Sequence, residues 1–415
     1  MPGGIPRGRC YARRRMAGGQ APSRSILDGV RERFDASTDF TVGIEEEYQL
    51  LDPATLGLVN RFEEMTDAAE EPLLGHLAGE LIASEIEYRT GRHLTFADAA
   101  RELVEGRLAT LALADRLGIA LGITGVHPFS PWQEQRIIDT PHYRRVEGEL
   151  GYIAWINNTW SLHLHAGVRG ADRAVAVSTA MRSVLPELLA LSANSAIYAG
   201  RPTRLHSTRI QVFTKSFPRC GIPDAYAGWE EYARFVGLLE RTASIVESTQ
   251  IWWSVRPHHS FGTVEVRICD GQTEMGEALA VAALTLACIA AFAREHDEGR
   301  RLPVHARGLI EENLWRAERH GLEGRLIDLD RGVEVPAPEA IATLLEWTAA
   351  VHEPLGLGPF LAAIPGMLAN GNGAMRQLAR HAELGGDLRA VHAEVVERTR
   401  RSAEEALAAA TAGAA

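Results

Sequence analysis

Apolar and polar residues alternate every second position in four segments of this chain, the period of strands with one buried face. The first is 40–51, FTVGIEEEYQLL, rich in β-branched and aromatic residues and ended by the turn signal Asp52-Pro53. The others are 79–90 (GELIASEIEYRT), 161–168 (SLHLHAGV) and 262–270 (GTVEVRICD), with further strand-like runs at 121–126 and 250–256. Elsewhere the apolar period is helical, over 97–117, 175–198, 229–246, 276–294 and the Ala- and Glu-rich stretch 387–410. Strands and helices mix without regular βαβ alternation or internal repeat. That predicts an α+β fold built on an antiparallel sheet, rather than a doubly wound one. The run 278–293 carries no charge but is shorter than the roughly 20 residues a membrane span needs. It is expected to be a buried helix, and no membrane partner is expected.

At 46% hydrophobic and 23% charged, 415 residues are ample for a large globular core. The formal net charge of −11 argues against nucleic acid as a partner, because phosphate binding demands a basic face. Residues 1–27 hold six arginines and no acid, so the remainder is more acidic still. That stretch lacks the apolar core of a secretory signal. Residues 1–36 are expected to form a disordered Arg-rich extension, in which Met16 is an alternative start. The four cysteines, Cys10, Cys220, Cys269 and Cys288, show no C-x-x-C pairing, which suits a reducing, cytoplasmic setting. Lys215 is the only lysine, and no G-x-x-x-x-G-K-[ST] occurs. Nucleotide phosphates, if bound, must be held by arginine, histidine, metal or backbone.

The alternating segments carry the candidate chemistry. Glu45 and Glu47 share a strand face about 6.6–6.8 Å apart, and a hard cation such as Mg²⁺ or Mn²⁺ is the usual answer to their repulsion. Taken alone, the pair also fits a solvated edge strand. Glu85 and Glu87, with Glu80 just upstream, form a second carboxylate set. His163 and His165 alternate with leucines and can together meet a metal or a phosphate. Glu265 and Arg267 share one face, and Arg256 ends the preceding strand; this is either a cross-strand ion pair or a metal ligand beside an anion clamp. Four such strands in one sheet would present an acidic face mixed with histidine and arginine. Such a face fits several divalent cations and a polyphosphate.

The ordered motifs G-I-E-E-E, E-L-x-x-S-x-x-E, H-L-H-x-G, F-P-R-C-G, I-W-W-x-V-R-P and T-V-E-V-R-I-C-D resemble the carboxylate–amine ligase family known as glutamate–cysteine ligase type 2. More distantly, they are similar to glutamine synthetase. The resemblance runs from about Thr41 to Arg376 and includes Asn313-Leu314-Trp315-Arg316 and Gly371-Asn372-Gly373-Ala374. It implies a glutamine synthetase-like catalytic domain over 37–385, with one sheet face lining the active site, followed by a C-terminal helix and tail over 386–415. Glu45, Glu47, Glu80, Glu87, His163 and Glu265 would be metal positions; Glu85 departs from the polar residue expected there. His165 and Arg267 would contact phosphate or substrate carboxylate, with Arg256 nearby, and Glu265, His165 and Arg267 would be the catalytic set. Lys215 and Arg219 would belong to a substrate loop that closes over 213–223, and Arg316 and Arg376 would be late phosphate contacts. The implied reaction uses ATP with Mg²⁺ or Mn²⁺ to phosphorylate the side-chain carboxylate of glutamate. The amine of cysteine then attacks, giving γ-glutamylcysteine, ADP and phosphate. A different amine or acid, a non-catalytic nucleotide- or amino-acid-binding homologue, and a homo-oligomer all remain open.

Overall fold

The computed structural model describes residues 25–413, so most of the expected Arg-rich extension lies outside the described residues. Its last part does not trail. Val30–Asp35 forms helix α1, whose Val30 and Phe34, four residues apart and hence on one face, are both fully buried.

The sheet consists of β1 (Val42–Leu51), β2 (Leu77–Ala78), β3 (Glu85–Arg89), β4 (Ala120–Gly122), β5 (Ser161–Gly167), β6 (Val255–His258) and β7 (Thr263–Asp270). Their order is β6-β7-β5-β1-β3-β2, with β4 alongside the far end of β1, and every pairing is antiparallel. The fold class is therefore the expected α+β. The register sets Glu45 opposite His163 on one side and Arg89 on the other, Glu47 opposite Glu87, and Glu265 between His165 and Arg256.

One face of the sheet is packed with helices α2 (Phe96–Arg116), α3 (Ala171–Met181), α4 (Leu185–Ser192), α5 (Met275–Asp297) and α6 (Leu388–Gly413). Helix α5 is buried without a break from Ala278 to Ala293, the environment an all-apolar helix requires. Both Ala171–Ser192 and α5 are long and apolar enough to cross a membrane, yet 83% and 89% of their most apolar windows are buried inside the fold. Helix α6 is part of this core rather than a tail: Ala403 is fully buried, and the Ser402 hydroxyl accepts from the Met275 N–H at 3.0 Å. Gly106 lets α2 cross β3 at close range, since a Cβ there would lie 2.0 Å from the Tyr88 ring.

Several expected bounds change: the strand expected over 121–126 is Ala120–Gly122, and the helix expected over 229–246 ends at Arg241. The helix read over 175–198 breaks at Arg182–Val184, where Pro186 removes a backbone donor, and it ends at Ser192. In the run 250–256 only Trp252–Trp253 and the start of β6 are extended. In 79–90 only Glu85–Arg89 is strand, which leaves Glu80 on a loop.

The core face also holds a buried ion pair. Glu46 alternates with Glu45 and Glu47, so it points inward, where Arg107 of α2 meets it with Nε at 2.9 Å and Nη2 closer still. The Tyr48 hydroxyl donates to the same carboxylate at 2.5 Å. Arg107 spends its remaining N–H groups on the carbonyls of Thr273, Gln272 and Thr399, at 2.9, 3.1 and 3.4 Å. It thereby ties sheet, α2, the segment after β7 and α6 to one point.

Candidate active site

The face of the sheet opposite the helices lines a cavity of about 310 Å³. Strand alternation delivers Glu45 and Glu47 from β1, Glu85, Glu87 and Arg89 from β3, Ser161 and His165 from β5, Glu265 and Arg267 from β7, and Arg256 from β6. His163 lies on the same face of β5, between Ser161 and His165. The loop before β3 adds Glu80 at the mouth, and Leu81, Tyr143, Val146, Phe213, Phe217 and Trp252 form an apolar wall.

These side chains are held by one another. The Ser161 N–H and hydroxyl both donate to Glu47, at 2.5 and 2.6 Å. His163 bridges the Ser161 hydroxyl (2.5 Å) and Glu45 (3.0 Å) through its two ring nitrogens. His165 Nδ1 meets the Thr263 hydroxyl at 3.0 Å, which aims Nε2 at Glu45 (3.2 Å) and Glu265 (3.7 Å). Glu265 accepts from Arg256 Nε at 2.5 Å and from Arg267 Nη1 at 2.5 Å.

The carboxylates divide into two electrostatic classes. Burial alone would raise Glu45, but the charges and hydrogen bonds of His165 and His163 outweigh it and hold that carboxyl well below its ordinary range. Glu265 is likewise held low against burial by Arg256, Arg267 and His165. Among the described residues Glu85 has no such partner, and Glu87 has only Arg89, at 3.6 Å. Burial, then the charges of neighbouring carboxylates, push both well up, and Glu80 rises to about 7 by burial despite the opposing charge of Arg267. His163 is pushed down by burial and by Arg267, against the opposing pull of Glu45 and Glu47.

Two donor sets converge within 4.8 Å: Glu47, Glu80, Glu87 and His163, and Glu45, His165 and Glu265. Glu87 Oε1 and Glu85 Oε1 are buried and have no hydrogen-bond partner among the described residues. Crowded oxygen donors with one imidazole per set, and unpartnered donor atoms between them, fit hard divalent cations such as Mg²⁺ or Mn²⁺. This makes a prediction for the metal-free protein. Glu87→Gln should raise its melting temperature by about 1 °C, equivalent to roughly 1 kcal/mol, because a costly buried charge is removed. In millimolar MgCl₂ the wild type should overtake the variant; a variant that stays ahead in Mg²⁺ would count against a cation at Glu87. The pH dependence follows the same sign. A carboxyl raised on folding stabilises below its ordinary pKa of 4.5, and that contribution is lost as pH rises through the folded value, about 7 for Glu80. Melting without metal should therefore fall between pH 4.5 and 7 on account of these groups, and Mg²⁺ should flatten the slope.

The structure brings together Glu45, Glu47, Glu80, Glu87, His163, His165, Arg256, Glu265 and Arg267, and adds Glu85. Four expected contacts do not line the cavity, and those expectations are corrected. Lys215 points to Glu311 at 3.9 Å. Arg219 lies behind the wall, over the Trp252 ring at 5.6 Å and bonded to the Gln250 carbonyl. Arg316 faces outward on the helix Arg307–His320 and pairs with Glu334 and Glu312. Arg376 forms a fork with Glu277 at 2.8 and 2.6 Å.

Arg209 is one cavity residue that the sequence does not point to; Arg89, Ser161, His258 and Phe261 are others. A β-bulge shifts the β7–β5 register between Val266 and Cys269. The Arg267 and Ile268 carbonyls there accept from Arg209 at 3.1 and 3.2 Å. The guanidinium also sits 5.7 Å from the centre of the Phe213 ring, beside the π-helical turn Ile210–Thr214. The local signal was only an arginine leading an apolar run.

Known proteins place this geometry. The family model described as glutamate-cysteine ligase family 2 matches residues 41–399. A relative from Solibacter usitatus (strain Ellin6076), named "Putative glutamate--cysteine ligase 2", is 39% identical over 376 residues, 90% of this chain and 96% of its own length. A second, from Rubrobacter xylanophilus and named "Putative glutamate--cysteine ligase 2-3", is 42% identical over 351 residues, covering 84% and 94%. Among solved structures, the glutamate–cysteine ligase of Francisella tularensis in complex with AMP shares the fold, with a TM-score of 0.66 at 12% identity over 91% of this chain and 95% of that one. With the family match spanning the whole sheet and both donor sets, this chain belongs to glutamate–cysteine ligase family 2.

Proposed function

We propose that this chain, by family an ATP-dependent ligase forming C–N bonds, joins the side-chain carboxylate of glutamate to an amine through an acyl phosphate, with cysteine as the first amine to test. The observation that carries this reading is the pairing of two carboxylate–imidazole donor sets with buried arginines in one cavity. Glu45, His165 and Glu265 would hold one divalent cation, and Glu47, Glu80, Glu87 and His163 another. Bound there, the cations would neutralise phosphate oxygens during phosphoryl transfer.

The remaining work falls to the chain's own groups. Glu265 fixes Arg267 through Nη1 and so holds a guanidinium that lines the cavity, where it would meet developing charge on the transferred phosphoryl or the acyl phosphate. Ser161 and Thr263 aim Glu47 and His165, so the donor geometry is set before substrate arrives. The apolar wall of Leu81, Val146, Phe213, Phe217 and Trp252 keeps water from the acyl phosphate. Arg209 stiffens the backbone that bears Arg267.

The test is phosphate release from ATP with Mg²⁺ and glutamate, screened across the twenty amino acids as second substrate. Stimulation by cysteine with accumulation of γ-glutamylcysteine supports the full reading. Stimulation by another amine keeps the chemistry and changes the substrate. ATP binding with no cleavage in the presence of any amino acid would overturn it in favour of a binding protein.

A further inference from the structure

We propose that Phe261 is the platform on which the base of the nucleotide stacks, a role that rests on the ligase reading above. Phe261 stands in the turn between β6 and β7 at the rim of the cavity, with its side chain 58% exposed. One face of the ring is already occupied: His258 lies beneath it, centroids 4.5 Å apart and 18° from parallel. Both rings abut His165 edge-on, at 5.0 and 5.5 Å. His165 shares a donor set with Glu45 and Glu265. A nucleotide whose phosphates are drawn to that set therefore has its base beside the open face of Phe261.

The platform is rigid. Gly262 adopts φ +64°, and a Cβ there would lie 2.9 Å from the Arg33 carbonyl oxygen, so the turn rests directly on α1. Arg33 Nε donates to the His259 carbonyl at 2.8 Å, and His259 Nε2 meets the Tyr232 hydroxyl at 2.5 Å. An aromatic ring held open to solvent by a braced turn is preorganised for a flat ligand, because little ordering remains to be done on binding. A base supplies such a face whatever its edge pattern. A planar side chain on the amine substrate is the other occupant this surface admits, and the experiment separates the two.

The experiment is calorimetric titration of wild type, Phe261→Ala and Phe261→Trp with Mg-ATP and with Mg-tripolyphosphate, which carries a phosphate chain but no base. Mg-ATP affinity should fall about 5- to 100-fold in Phe261→Ala, the loss of one stacked base, and recover in Phe261→Trp. Tripolyphosphate should bind all three within twofold. In turnover assays the KM for ATP should rise in Phe261→Ala while the KM for glutamate stays within twofold. Unchanged ATP affinity in Phe261→Ala, a parallel loss of tripolyphosphate, or a shift confined to the amine KM would each overturn the platform alone. Absence of ATP binding by wild type would overturn the ligase reading and the platform together.

Discussion

Glu265→Gln should cut phosphate release by about 10³-fold or more and should also destabilise the protein. Both effects follow from the position of Glu265 beneath two guanidiniums. It is 1% exposed, accepts from Arg256 and Arg267 at 2.5 Å each, and lies 3.7 Å from His165 Nε2. A glutamine there offers one weak acceptor where two oxygens served, removes a donor from the Glu45–His165–Glu265 set, and frees Arg267 to swing. It also leaves two buried cations with less countercharge, which costs about 3 kcal/mol or more. Relief of repulsion, the expectation that alternating carboxylates alone suggest, does not apply, because this carboxyl is held well below its ordinary range. Thermal melting beside a phosphate-release assay checks both. Turnover within tenfold of wild type would count against the site.

The second large effect is expected in the core. Arg107→Ala should cost about 3–5 kcal/mol in denaturant unfolding, since Glu46 would remain buried and charged while three carbonyls lose their donor. The double variant Glu46→Leu with Arg107→Met should recover much of that loss, as replacing both charges by apolar groups removes the desolvation cost. A loss below 1 kcal/mol in Arg107→Ala would mean that the pair is solvated or that the core rearranges around it.

What was readable in the sequence is what depends on the nearest neighbours along the chain. Period 2 put Glu45 with Glu47, Glu85 with Glu87, His163 with His165, and Glu265 with Arg267 on shared faces, because alternation is a property of the strand itself. The all-apolar run of α5 was readable for the same reason. Glu46 shows where that stops. It stands in the same run of glutamates, yet its role depends on Arg107, 61 residues away and brought close only by the packing of α2. Arg209 depends on a β-bulge, which has no local marker. Arg316 and Arg376 were chosen by resemblance, and nearby carboxylates, Glu312 and Glu277, take up their charge instead. Glu80 was recognised as a ligand candidate, but its place on a loop rather than a strand was not, because the apolar run Leu81-Ile82-Ala83 that joins it to the alternating Glu85–Arg89 carries no Gly or Pro to mark the turn at Ala83 and Ser84.

The strands that carry the two donor sets are separated by long stretches of chain: His163 lies 118 residues from Glu45, and Thr263 lies 98 residues from the His165 it orients. Contacts this distant form late, since the loops between them must close first. A chain that has not completed the sheet assembles neither donor set, so cations held there would favour the folded state alone. Free Mg²⁺ at 100 times its dissociation constant would then add about 2.7 kcal/mol to global stability. Where opening is fast relative to cleavage, that lengthens the protein's lifetime against proteases about a hundredfold. The cations that serve the chemistry would thus also protect the folded chain from degradation.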